Sequence, residues 1–185
     1  MPQSKYLKPE WACYHWGWYL TNHRGHRTYV DFLTWRLRNY GVIYDAGCGD
    51  GLLSFLMACR GKTVTGVDTD PEAIRQAKKI TRCFDKMNKL HYAVESVEDY
   101  RTKADVVVCS MVIEHVKNPH KALTTFAECA DKLLISTDDG ATVTPSKYDE
   151  RVWTLQEFDE ELNNAGWHVT ENHEGHGMIM VECER

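Results

Sequence analysis

The stretch that decides the fold is Val42-Ile43-Tyr44-Asp45-Ala46-Gly47-Cys48-Gly49-Asp50-Gly51. Val42-Ile43-Tyr44 has strand character, and Leu52-Leu53-Ser54-Phe55-Leu56-Met57-Ala58-Cys59 is long enough for a helix opening at Gly51. The glycines between them, at every second position, take backbone angles closed to other residues and let a ligand come close to the main chain. A helix that starts on such a turn points its first N–H groups at that ligand. Strand, glycine turn and helix together read as a grip for a nucleotide-bearing cofactor.

Residues 62–67 read as a second strand ending at Asp68, whose carboxylate can accept two hydrogen bonds from ribose hydroxyls. The glycine spacing is not the dinucleotide pattern Gly-x-Gly-x-x-Gly. It is acid-x-Gly-x-Gly-x-Gly, carried by Asp45, Gly47, Gly49 and Gly51. That motif resembles the first motif of the class I S-adenosylmethionine-dependent methyltransferases. The resemblance implies that Asp45 and the loop Gly47, Cys48, Gly49 and Gly51 hold the methionine portion of S-adenosylmethionine. Asp68 then takes the ribose, with Thr69 beside it a further cofactor candidate, and Glu95, Ser96 and Val97, after the third strand, take the adenine; Glu98 and Asp99 compete with Glu95 for that role.

Outward from the loop, helices and strands alternate. A helical pattern over 26–39, with Gly41 as its cap, precedes strand 42–46, helix 51–60 and strand 62–67. Asp70-Pro71 has the chemistry of an N-cap followed by proline at the first helical position. Strands follow at 90–94 and 104–109, the second a continuous apolar run that signals burial on both faces. Beyond Pro119 come a helix, a strand at 132–136, and a polar stretch, 137–153, longer than ordinary connections. Thr154 with Glu157 has capping-box spacing for a last helix closed by Gly166, and 167–172 and 177–183 read as a terminal hairpin.

This order predicts an α/β, Rossmann-like fold. Seven strands form a mostly parallel sheet with helices on both faces and a C-terminal antiparallel hairpin. Residues 1–185 are expected to form a single domain, with 1–41 an aromatic-rich helical segment and 42–183 the core; the resemblance spans 26–183.

Length and an apolar fraction of 43% suit one globular domain. The net charge of −5, with 22 basic residues spread along the chain, leaves no electrostatic footprint for nucleic acid, which disfavours a polynucleotide substrate without excluding one. The seven cysteines stand singly, with no Cys-x-x-Cys pair, and are expected as reduced core thiols. No signal peptide or membrane-spanning run is visible, so a cytoplasmic location without membrane contact is expected.

Cys109-Ser110-Met111-Val112-Ile113-Glu114-His115-Val116 leaves the fourth strand, whose carboxyl end should face the ligand crevice of an open parallel sheet. Cys109 and Ser110 are cofactor candidates there. The segment resembles the Glu-His-Val sequence of small-molecule methyltransferases of the ubiquinone-biosynthesis type, and a related pattern in small-RNA 3′-end methyltransferases. Some of those relatives bind a metal through Glu-x-x-Glu-His; Met111 stands where their first glutamate would be, so no metal is expected. Glu114 and His115 are the catalytic candidates, His115 as the base for a substrate hydroxyl or amine; orienting the loop by hydrogen bonds is the competing role for both.

Trp16, with Tyr14 and Trp18, can lie over a sulfonium cation or fill a core. Arg27, in competition with Arg24, can pair with the cofactor's carboxylate. Arg151 and Trp153 are candidates for substrate contact. His173 and His176 suggest a metal pair, which a hairpin tip explains more simply. The whole predicts an S-adenosylmethionine-dependent methyltransferase acting on an oxygen, nitrogen or carbon nucleophile of a small molecule. The alternatives are an RNA-end methyltransferase and a catalytically silent cofactor-binding subunit.

Overall fold

A computed structural model describes residues 4, 16, 24–82, 89–175 and 177–185, and the side chains of all of these except 24–28, 174 and 175. The chain divides into two compact units, residues 1–96 and 97–185.

In the first unit, helix α1 spans Arg24–Arg36 and tightens into a 3₁₀ turn at Leu37–Asn39. Tyr40 is extended and donates its N–H to the Leu37 carbonyl at 3.2 Å. Gly41 is not left-handed, so the expected glycine cap is replaced by this 3₁₀ turn. Strands β1 (Val42–Ala46), β2 (Thr63–Asp68) and β3 (Leu90–Val94) run parallel, with Val42 opposite Thr63 and Asp68 opposite Val94. Ile43, Tyr44, Asp45 and Ala46 are all buried, the pattern of a strand covered on both faces. Helix α2 covers Leu52–Cys59. Helix α3 covers Pro71–Thr81 and is capped as its sequence predicts, the Asp70 carboxylate accepting from Glu72 and Ala73 N–H at 2.9 and 3.4 Å.

The second unit contains β4 (Val106–Ser110), α4 (Pro119–Cys129), β5 (Lys132–Asp138), α5 (Leu155–Asn164), β6 (His168–Gly175) and β7 (Met178–Glu184). Strand β4 starts at Val106 rather than 104, and β5 runs on to Asp138, past the expected end at 136. β4 and β5 are parallel, whereas β7 is antiparallel to both β5 and β6, so the terminal hairpin is as expected. Trp167 is fully buried and still satisfies its indole, Nε1 donating to the Leu123 carbonyl at 3.0 Å. The seven strands form one sheet in the order β3-β2-β1-β4-β5-β7-β6, flanked by helices.

The capping box of α5 is complete: Thr154 Oγ1 accepts from Glu157 N–H at 3.4 Å, and the Glu157 carboxylate accepts from Thr154 N–H at 2.8 Å. Thr154→Ala is expected to cost about 1 kcal/mol in urea unfolding, with Thr154→Ser restoring most of it. Of the described cysteines, Cys109, Cys129 and Cys183 are buried thiols, whereas Cys59 is exposed, against the expectation of a core position. Among the described residues no helix is long and apolar enough to cross a membrane.

Candidate active site

The glycine loop has the backbone its spacing demands. Gly47, Gly49 and Gly51 have φ of 76°, 54° and 84°, the left-handed region that side-chain-bearing residues avoid. The loop is braced mostly by its own N–H groups. Gly47 and Cys48 donate to the Val67 carbonyl at 2.7 and 3.0 Å, and Gly51 donates to Cys48 at 2.9 Å. The contribution to a ligand is therefore close main-chain approach more than a row of donors.

Gly49 N–H donates to Asp68 Oδ2 at 2.9 Å, while Asp70 N–H donates to Oδ1 at 2.8 Å. The half-buried Asp68 carboxylate is thus held through both of its oxygens. Glu95 N–H donates to the Asp68 carbonyl at 3.1 Å, which sets exposed Glu95 beside the end of β2; Ser96 is half-buried and Thr69 exposed.

Asp45 points elsewhere. Buried on β1, it accepts from Ser54 Oγ at 2.5 Å and from the Ser54 N–H, so its charge sits against the first turn of α2. Burial pushes its carboxyl up to about 6, against the opposing pull of Ser54. The Cys48 thiol, half-buried beside it, is pushed well above its usual range by burial and by Asp45, Asp68 and Asp50.

Trp16 is buried against Phe55 of α2, ring centroids 5.2 Å apart, with its Nε1 lacking a hydrogen-bond partner. Arg27 lies on α1 with its side chain outside the described residues, as are Tyr14 and Trp18.

In the second unit, Cys109 is buried within β4 and Ser110 ends the strand opposite Ser136. Met111 has φ of 54°, a left-handed conformation costly for a residue with a side chain, and its N–H donates to the Ser136 carbonyl at 3.1 Å. The kink aims the following 3₁₀ turn, Ile113–His115. Within this turn the two catalytic candidates part. Glu114 is 1% exposed, its Oε2 and the nearby Thr137 Oγ1 both lacking partners, and burial reinforced by Asp138 and Asp149 pushes its carboxyl up to about 8. His115 is exposed, its Nδ1 3.1 Å from Asp149 Oδ1 and 3.2 Å from the Tyr148 carbonyl.

The polar stretch after β5 carries these partners. Glu150 and Arg151 donate their N–H groups to the Glu114 carbonyl at 2.8 and 3.3 Å, tying the stretch to the 3₁₀ turn. Asp149 escaped the sequence reading; the local signal is Ser146-x-x-Asp149, whose Ser146 N–H and hydroxyl both bond the carboxylate, at 2.5 and 2.9 Å. Trp153, a candidate for substrate contact, is instead buried on Phe158 of α5 at 5.3 Å between centroids, with the Arg151 guanidinium 5.6 Å from its ring centroid. His173 stands with Glu171 and Glu182 on β6 and β7, the one group of three metal-capable side chains among the described residues; His176 lies outside them.

A family model described as a methyltransferase domain matches residues 21–180, and the chain belongs to that family. Among curated relatives, the mitochondrial ubiquinone biosynthesis O-methyltransferase of Schizosaccharomyces pombe is 41% identical over 126 residues, 62% of this chain and 46% of the relative. The ubiquinone biosynthesis O-methyltransferase of Nitrosomonas europaea is 36% identical over 103 residues, 54% and 43% respectively. The chain thus spans about half the length of the curated relatives it matches. Among solved structures, magnesium protoporphyrin IX methyltransferase of Synechocystis with bound SAH superposes with a TM-score of 0.73 at 20% identity, covering 87% of this chain and 84% of that one. An O-methyltransferase from neocarzinostatin biosynthesis superposes with a TM-score of 0.69 at 18% identity, covering 85% and 57%.

Proposed function

We propose that residues 1–185 work as one S-adenosylmethionine-dependent methyltransferase domain that methylates a hydroxyl group of a small molecule. The observation that carries the donor half is the bond from Gly49 N–H to Asp68, because it locks a left-handed glycine loop onto the acid suited to a ribose. The residues present fit that cofactor. The Asp68 carboxylate is held at the end of β2 by the loop itself, the loop admits close main-chain approach, and the unpartnered Trp16 Nε1 lies beside the helix that follows the loop. In this reading the loop takes the methionine portion, Asp68 and Thr69 the ribose, and Glu95, Ser96 and Val97 the adenine. Cys109 and Ser110, at the end of β4, complete the proposed cofactor set.

Bound there, the cofactor supplies a methyl group already activated on a sulfonium. What remains for the protein is alignment, exclusion of water and removal of one proton. His115, exposed at the end of its 3₁₀ turn, takes that proton. Glu114, buried and neutral at pH 7, holds the turn and receives the following stretch on its carbonyl. The preference for a hydroxyl acceptor draws on the names of the curated relatives.

Isothermal titration is expected to show S-adenosylmethionine binding and no NAD binding, and Asp68→Ala is expected to weaken that affinity at least about tenfold through loss of charge-assisted bonds to the ribose. Binding of NAD alone overturns the reading. Turnover with phenolic acceptors, lost in His115→Ala while cofactor affinity is kept, tests the acceptor half.

A further inference from the structure

Asp149 has no place in the sequence motifs, yet its side chain is 1% exposed and lies against the one imidazole at the end of β4. Its carboxylate is held from two directions by Ser146, through N–H to Oδ2 and hydroxyl to Oδ1, so it is fixed before any substrate arrives. His115 Nδ1 meets Asp149 Oδ1 at 3.1 Å and the Tyr148 carbonyl at 3.2 Å. A carbonyl oxygen and an ionised carboxylate only accept hydrogen bonds, so Nδ1 must be the nitrogen that carries hydrogen. In the neutral ring the lone pair then falls on Nε2, and that side of the ring belongs to a residue 45% exposed in its side chain.

From this arrangement we infer that Asp149 is the positioning residue of the methyl transfer: it fixes His115 in the Nδ1–H tautomer and steadies the imidazolium formed when Nε2 takes the acceptor's proton. The inference rests on the methyltransferase reading above. In the step, the acceptor hydroxyl gives its proton to His115 Nε2. Its oxygen forms the bond to the methyl carbon as the carbon–sulfur bond breaks, and the electron pair of that bond stays on sulfur. The proton on Nε2 afterwards passes to water. This assigns the polar stretch after β5 a function: it delivers the carboxylate that the 3₁₀ turn itself lacks on its exposed side.

A tautomer can be read without substrate or cofactor. Long-range proton–nitrogen correlation NMR on the full chain, with His115 assigned by comparison with His115→Ala, is expected to show Nδ1–H and a bare Nε2 in the neutral ring. Asp149→Ala is expected to populate the Nε2–H form. Asp149→Asn, which keeps the contacts to Ser146 and removes the charge, guards against simple loss of the loop and is expected to disturb the tautomer as well. With a turned-over phenol, both variants should lower kcat about 10²- to 10⁴-fold while the affinity for S-adenosylmethionine measured by calorimetry stays within about twofold. Asp149→Ala on top of His115→Ala should cost nothing further, since the two act as a unit.

An Nε2–H tautomer in the wild type, an unchanged tautomer in both variants, or additive losses in the double variant each overturn the inference. Failure of the wild type to bind S-adenosylmethionine overturns the methyltransferase reading instead, and leaves the tautomer measurement standing as a separate result.

Discussion

Gly51→Ala is expected to unfold at markedly lower urea than the wild type, with a stability loss of about 2–5 kcal/mol. Two costs combine at this position. Gly51 sits at φ of 84° as the N-cap of α2, where an L-residue is strained by about 1–2 kcal/mol. A Cβ added there would also run into the Tyr92 hydroxyl and lie 2.9 Å from its ring carbon and 3.0 Å from the Ala77 methyl. The Tyr92 ring is largely buried and has little room to swing aside, and the Ala77 methyl has no rotamer to change, so overpacking of this kind adds about 1–3 kcal/mol. Gly166→Ala separates the two effects. Gly166 has nearly the same φ, 85°, but a Cβ there meets nothing within 4 Å, so only the backbone strain of about 1–2 kcal/mol should appear. Equal losses in the two variants would show that the contact with Tyr92 carries no energy. In calorimetry Gly51→Ala should also weaken S-adenosylmethionine binding by at least about tenfold, because the loop geometry that admits the ligand is displaced.

What could be read from the sequence divides by the range of the interaction. Asp70 before Pro71, and Thr154 with Glu157, act over three residues, so spacing alone identified both helix starts, and the structure shows both caps formed. The alternation of elements and the closing hairpin depend on periodicity, which also survives in one dimension. The glycine turn was legible because glycine is demanded by backbone angle, and angles are local. Asp149 was not legible: its imidazole partner lies far back along the chain, and Asp149 itself stands in a polar stretch whose composition suits any solvated loop. Nor could spacing tell that Asp45 would turn inward to Ser54, or that Glu114 and His115, adjacent in sequence, would separate into a buried and an exposed side chain. Trp153 shows the opposite error, an aromatic near the expected pocket that burial against Phe158 claims for the core.

The buried side of that pair predicts how stability should depend on pH. Glu114 titrates at about 8 in the folded protein, against an ordinary value of 4.5 in the unfolded chain. Between these values the folded protein keeps a proton that the unfolded chain has released, so stability falls as pH rises, by about 1.4 kcal/mol for each pH unit. The contribution is fully present below about pH 4.5 and is lost as pH climbs through about 8, for a total of about 4–5 kcal/mol. Asp45, pushed up to about 6, acts in the same direction but completes its titration lower, so the interval from about pH 6.5 to 8.5 isolates Glu114. Glu114→Gln removes the titrating group and offers an amide donor near the partnerless Thr137 hydroxyl. Urea unfolding at about pH 5, 7 and 8.5 should therefore give a stability that declines steeply for the wild type and only weakly for Glu114→Gln, the variant being the more stable by about 2–4 kcal/mol at the highest pH. Parallel curves would mean that Glu114 is ionised in the folded protein. Its carboxylate would then have to be matched by a cation, and the 3₁₀ turn would carry His115 above a charge instead of a neutral acid.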